Sequence, residues 1–534
     1  MAWDYIIAGG GTAGCVLANR LTADGKSSVL LLEAGGSDRT PIVRIPAGEI
    51  FAIASHRYNW NYDAEPDPSL NDRVTKWPGG RVLGGSSSIN GMIYFRGQRE
   101  DYDDWASLLG NTGLWSYADV LPYFKRMESN QFGAGEYHGD SGPLTASHIS
   151  TPHPLAEAFI EAGVEIGIPH NPDVNGERQE GIGPIQGSIR RGRRHNTGLA
   201  YLRPARRRSN LGVITHATVD RILFEGGRAV GVRYRKRGRV REERTSGEVI
   251  LSAGALASPT VLMRSGLGPE EHLNQHGIAL VHHLSGVGKN LQENPIAFPA
   301  AYVNVRTHNT ELSPYRFVKH GLHWLLFGKG PAAGPVAHAG AFIRTRPDQE
   351  SRPDVQLQFF PVIYASEPGT PVKFLERSGV LIGVNACRPR SFSEIQLRSP
   401  DPGAPPSIKS NLFSDPDDLA RTIAGCRVVR EIFTSRAFAP YFEEELLPGP
   451  GVQSDAEYEQ YLRFTTLPAY HPVGTCKMGI GEDAVVDERL RILGVEGLRV
   501  VDASVMPVIP SANTNAPTIM VAERASDLIL EDRP

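Results

Sequence analysis

A chain of 534 residues is too long for one simple core, so two domains are expected. Its formal charge of −3, with 40% hydrophobic and 22% charged residues, suits an ordinary globular enzyme and excludes an overall basic field for nucleic acid. The four cysteines, Cys15, Cys387, Cys426 and Cys476, have no CxxC or Cys/His spacing, which argues against a disulfide framework, a zinc site or any other metal centre.

The chain opens on Met-Ala-Trp-Asp, without a basic leader, and no apolar run approaches roughly 18 residues, so a cytoplasmic protein with no transmembrane segment is expected. Tyr5-Ile6-Ile7-Ala8 predicts a buried parallel strand, and residues 13–21 a helix. Val29-Leu30-Leu31-Leu32 predicts a second strand, closed by Glu33. Between strand and helix stands Gly9-Gly10-Gly11-Thr12-Ala13-Gly14, with the spacing GxGxxG at Gly9, Gly11 and Gly14. In such a βαβ unit the first glycine permits the turn, the second lets backbone approach a pyrophosphate, and the third lets helix and strand pack closely. The helix N-terminus then faces the phosphates, and Glu33 can accept hydrogen bonds from a ribose diol. The motif predicts dinucleotide binding and does not separate NAD from FAD.

Gly84-Gly85-Ser86 follows, with unhindered backbone donors and hydroxyls that suit a phosphate or form a structural turn. Basic clusters at Arg190–Arg194, Arg203–Arg208 and Arg233–Arg244 lack interleaved aromatics and are read as solvated surface. Strand-type runs recur at Val213–Thr215, Ala229–Tyr234, Glu248–Leu251 and Leu498–Val501. Between residues 300 and 465 the pattern changes to polar–apolar alternation, as in Asp354-Val355-Gln356-Leu357-Gln358-Phe359, with proline-broken loops. That predicts an antiparallel sheet with helices, built as a second domain.

Three further segments carry a family resemblance. They are Gly80-Arg81-Val82-Leu83-Gly84-Gly85-Ser86-Ser87-Ser88-Ile89-Asn90-Gly91-Met92-Ile93-Tyr94, the stretch Gly254–Gly268, and the C-terminal set His471–Gly479, Val501–Pro507 and Asn513–Thr518. With the N-terminal GxGxxG, they resemble the glucose–methanol–choline (GMC) flavoprotein oxidoreductases over essentially the whole chain. The resemblance implies an α/β FAD-binding domain of the glutathione-reductase type, made of residues 1–150, 205–298 and 466–534. It implies an α+β substrate domain with a large antiparallel sheet, made of residues 151–204 and 299–465. The cofactor-binding set it implies is Gly9, Gly11, Thr12, Ala13, Gly14, Glu33, Gly84, Ser86, Asn90, Val219, Asp502, Ala503, Asn515 and Thr518. Some relatives attach FAD covalently to a histidine just before the asparagine; here that position is Ile89, which implies non-covalent FAD.

The implied activity is oxidation of a primary alcohol to the aldehyde, by hydride transfer to flavin N5. His471 is the implied base, since an imidazole titrates near working pH. Asn513, 14 residues before Asp527, is its implied partner; an amide positions the oxygen but is no base. Asn513 also reads as a cap of the final helix. Two departures from relatives stand out. By local alignment, a glutamate that meets the ammonium of choline is replaced by His338, which argues against choline. Glu293-Asn294 stands where many relatives read Asp-His. Tyr470, Phe359 and Phe360 read as pocket or core. The electron acceptor, O2 or a quinone, and the oligomeric state stay open. A hydroxynitrile lyase on the same fold is the rival chemistry.

Overall fold

The computed structural model describes residues 3–311, 314–365 and 373–533. The chain opens as expected, with strand β1 (Trp3–Ala8), helix α1 (Thr12–Leu21) and strand β2 (Val29–Glu33). Every residue of β2 is buried, as a parallel strand covered on both faces requires. β1 pairs in parallel with β2, and β2 with Leu211–Thr215. On its other side β1 pairs with the end of the long strand Arg239–Leu251, which in turn pairs with Leu498–Val500. The start of that long strand pairs antiparallel with Arg228–Lys236, which folds back on Ala217–Glu225. One strand therefore ties the dinucleotide sheet to a β-meander.

The last helix, Asn515–Glu531, packs on α1. Arg20 of α1 makes a bidentate pair with the fully buried Glu523, at 2.9 and 2.7 Å, and the Tyr201 hydroxyl donates to the same carboxylate at 2.7 Å. Charge-assisted fork geometry fixes register as well as contact, so the two ends of the chain are held as one body.

The second sheet is antiparallel throughout. Its order is Phe442–Leu447, Ala300–Val303, Gly379–Ala386, Val355–Phe360, Ala339–Ile343 and Gly181–Pro184. Pro295–Ala297 pairs with Gly379–Ala386 and with Leu467–Pro468. Those two short strands fall inside the ranges expected for the FAD domain, 205–298 and 466–534, yet join this second sheet, because the chain passes between the layers there. Each sheet has its own hydrophobic cluster. Alternation along Val355–Phe360 sends Val355, Leu357 and Phe359 into the core, where Phe359 stacks on Phe159 at 5.0 Å. The opposite face carries Gln356, Gln358 and Phe360.

Candidate active site

A cavity of about 1010 Å³ takes its walls from both sheets. Every sequence-predicted site residue lines it except Gly14 and Gly84. Those two shape it from behind. A Cβ on Gly14 would run into the Gly9 carbonyl, which is the close helix–strand packing the motif predicts. Gly84, at φ +86°, donates its N–H to the Gly10 carbonyl at 2.8 Å.

At its N-terminal end, α1 is entered from Gly11, which offers no side-chain cap, and its first turn holds no acidic residue. Its free N–H groups and the positive end of its dipole open onto the cavity. A Cβ on Gly11 would meet nothing closer than 3.8 Å, and Gly85 approaches so closely that its Cβ would lie 2.6 Å from the Gly11 Cα. This bare backbone cradle fits a pyrophosphate. Glu33 reaches the same wall with its two oxygens accepting the Gly10 and Gly35 N–H groups at 2.9 and 2.6 Å; burial raises it to about 7. The Thr12 hydroxyl donates to Asn515 Oδ1 at 3.2 Å, joining the first and last helices at the cavity. Asp502 is a clamp: it accepts from Gly254 N, Ser258 Oγ and Ser504 N at 2.8, 2.6 and 2.8 Å, pinning two signature segments together.

At the other end stands His471. Asn294 donates its amide to the Ala386 carbonyl at 2.8 Å and to Cys387 at 3.3 Å, which turns its Oδ1 toward His471 Nδ1 at 3.0 Å. An oxygen there only accepts, so Nδ1 carries the proton and Nε2 keeps its lone pair. Nε2 faces Asn513 Nδ2 at 2.9 Å. Asn513 Oδ1 in turn accepts from Gln356 Nε2 at 3.1 Å, and Gln356 Oε1 from Asn385 at 3.3 Å. Asn513 is thus oriented by the antiparallel sheet and does not cap the final helix, whose N-cap is Thr514. Glu293 accepts the His471 backbone N–H at both oxygens, 2.8 and 2.9 Å. Burial pushes Glu293 up to about 8 against those hydrogen bonds, and burial alone lowers His471 to about 4. The imidazole is therefore neutral at neutral pH.

Several residues here were not anticipated in these roles. The departure Glu293-Asn294 acquires a physical account: the pair grips the backbone and the ring of His471. Gln356 carries no sequence signal beyond its strand alternation. Arg194, read within a solvated cluster, is instead 1% exposed. It donates to Asn90 Oδ1 at 2.8 Å, to Asn90 O at 2.6 Å and to Val43 O at 3.0 Å, fixing the Asn90 loop. Glu49, also on the cavity wall, is raised by burial to about 8, and its Oε2 is unpartnered. Phe360 and Tyr470 line the cavity. His338 does not; its Nδ1 accepts the His153 N–H at 2.9 Å. His338 therefore stands behind the cavity wall, while Val336 of the same segment faces it.

Comparison with known proteins agrees with this architecture. Models of the GMC oxidoreductases match residues 3–296 and 389–522. The chain is 44% identical to an oxygen-dependent choline dehydrogenase of Chromohalobacter salexigens, across 99% of this chain and 94% of that one. It is 41% identical to an alcohol dehydrogenase (acceptor) of Pseudomonas putida, across 99% and 96%. Among solved structures, pyridoxine 4-oxidase from Mesorbium loti superposes with a TM-score of 0.89 at 29% identity, covering both chains fully. The chain belongs to the GMC oxidoreductases, FAD flavoproteins acting on CH–OH donors, and is an FAD-dependent enzyme of alcohol oxidation.

Proposed function

We propose that His471 Nε2 takes the hydroxyl proton of a primary alcohol while Asn513 Nδ2 holds the alcohol oxygen. The observation that carries this reading is the 3.0 Å contact of Asn294 with Nδ1, which leaves the unprotonated Nε2 beside Asn513 at 2.9 Å. Asn513 Nδ2 donates to the single lone pair of Nε2, and an alcohol takes that place: its hydroxyl donates to Nε2 while its oxygen accepts from Asn513 Nδ2. FAD, when bound, supplies the acceptor for the hydride leaving the alcohol carbon. His471 and Ile296 are buried at this point, with Tyr364 and Phe360 half-buried beside them, which limits water and strengthens the polar contacts that remain.

The cradle at Gly9, Gly11, Thr12 and Ala13, with Glu33, Ser86, Val219, Ala503, Asn515 and Thr518, would hold the cofactor. Attachment is non-covalent in this reading, since Ile89 is a buried aliphatic residue packed with Val43, Tyr58 and Val82. The division into an FAD domain (1–150, 205–298, 466–534) and a substrate domain (151–204, 299–465) follows, with the chain crossing near 295–297 and 467–468. Among the described residues no helix is long and apolar enough to cross a membrane, and the four cysteines are free and buried, which supports a cytoplasmic setting. A panel of alcohols, assayed for bleaching of the flavin without oxygen and then for peroxide release and dye reduction, tests the reading. Bleaching by a primary alcohol supports it; an unbleached flavin across the panel overturns it.

A further inference from the structure

We infer that the helix Pro314–Phe327 is a docking surface for an anionic lipid bilayer, a property beyond the reading above. Tyr315, Val318, Leu322, Leu325, Leu326 and Phe327 are each more than half exposed, at 54–78%. Five of them, at i, i+3, i+7, i+10 and i+11, form one stripe along the helix. Folded soluble surfaces rarely leave so continuous an apolar patch facing water. The helix is held from beneath by Trp324, whose Nε1 donates to the Gly192 carbonyl at 2.6 Å and whose ring lies under the Arg193 guanidinium at 5.1 Å.

That anchorage sets the helix beside the arginine cluster. Gly328 and Gly192 touch backbone to backbone, and the neighbouring Arg190 and Arg191 are exposed. Lys319, His323 and Lys329 are exposed on the helix and its end, and residues 312–330 contain no Asp or Glu. The carboxylate at the helix start, Glu311, is already paired with Arg316 and His320, so an apolar stripe bordered by an excess of cations complements an acyl layer beneath anionic headgroups. Fourteen residues span about 21 Å, short of the roughly 30 Å hydrocarbon core, so the helix lies along the surface and does not cross it. The turn that follows, Pro331–Ala333, packs on Pro46–Gly48, and the next helix, Glu49–Ala54, gives Glu49, Ile50 and Ile53 to the cavity wall. Docking would therefore set that wall of the cavity close to lipid.

The test uses the FAD-loaded enzyme floated with vesicles of phosphatidylcholine alone or mixed with phosphatidylglycerol. Binding to the mixed vesicles, weakened by salt, is expected. The variant Leu322→Gln/Leu325→Gln/Leu326→Gln should lose at least about tenfold in vesicle binding while oxidising a soluble alcohol with a soluble dye at the parental rate. Arg190→Gln/Arg191→Gln should remove the preference for phosphatidylglycerol. Absence of binding to either vesicle, or binding unchanged in the triple variant, overturns the proposal. So does a dimer in size exclusion that the triple variant dissolves, since a second copy would then cover the stripe.

Discussion

Asn294 Oδ1 and His471 Nδ1 stand 3.0 Å apart, and that contact decides which nitrogen of the imidazole can act as a base. The Asn294 amide is itself held by the carbonyls of Ala386 and Cys387, so the end of a strand of the antiparallel sheet fixes a tautomer at the His471 end of the cavity.

Asn294→Leu should therefore leave the Nδ1 proton without a buried acceptor, at a cost of about 1–3 kcal/mol. The ring gains freedom to turn or to change tautomer, so kcat should fall about ten- to a hundredfold with little change in KM. Asn294→Asp keeps an acceptor and adds negative charge, so it should retain turnover and move the acid limb of the kcat/KM profile upward. Steady-state kinetics against pH distinguish these outcomes from simple loss of fold.

The pH profile of the parent enzyme follows from the buried imidazole. His471 is lowered to about 4, so its base form is complete at neutral pH. The kcat/KM of the parent should be flat through neutrality and fall only as pH drops toward about 4. An acid limb centred near the ordinary histidine value of about 6.5 would show that the imidazole is more hydrated than its burial indicates.

Glu49 gives a stability prediction with a definite sign. Its folded pKa of about 8 lies above the ordinary glutamate value of 4.5, so between these values the folded protein keeps a proton that the unfolded chain releases. Its contribution to stability is present below 4.5 and is lost as pH rises toward 8. Glu49→Gln removes that loss. Thermal melts should show Tm nearly unchanged at about pH 5 and raised at about pH 8.

Two glycines of one motif should fail differently. Gly14→Ala drives a methyl into the Gly9 carbonyl and should give poorly folded, colourless protein. Gly11→Ala meets open space within the protein but places a methyl on the wall of the cradle, and should give folded protein with weakened FAD. Circular dichroism and flavin titration separate the two.

Much of this arrangement is legible in the residues. The βαβ unit is, because a buried apolar run, a glycine triplet and a helix follow within about 30 residues. The antiparallel sheet shows in the alternation around Gln356 and Gln358. His471 and Asn513 are legible only through family motifs, since nothing local marks one histidine of 16. Arg194 and Glu49 were not legible in these roles. Burial of a charge is a tertiary property, and a run of arginines reads the same whether one of them turns inward or none does. The function of Asn294 was also hidden, because its partners Ala386 and Cys387 lie 92 and 93 residues away and offer only their backbone.

The most direct test of the central claim is the rate at which an alcohol bleaches the flavin of His471→Ala under nitrogen. The variant should emerge yellow, with FAD bound, and be reduced about 10²- to 10⁴-fold more slowly than the parent. Reduction at the parental rate in a yellow, folded variant would contradict the assignment of His471 as the base.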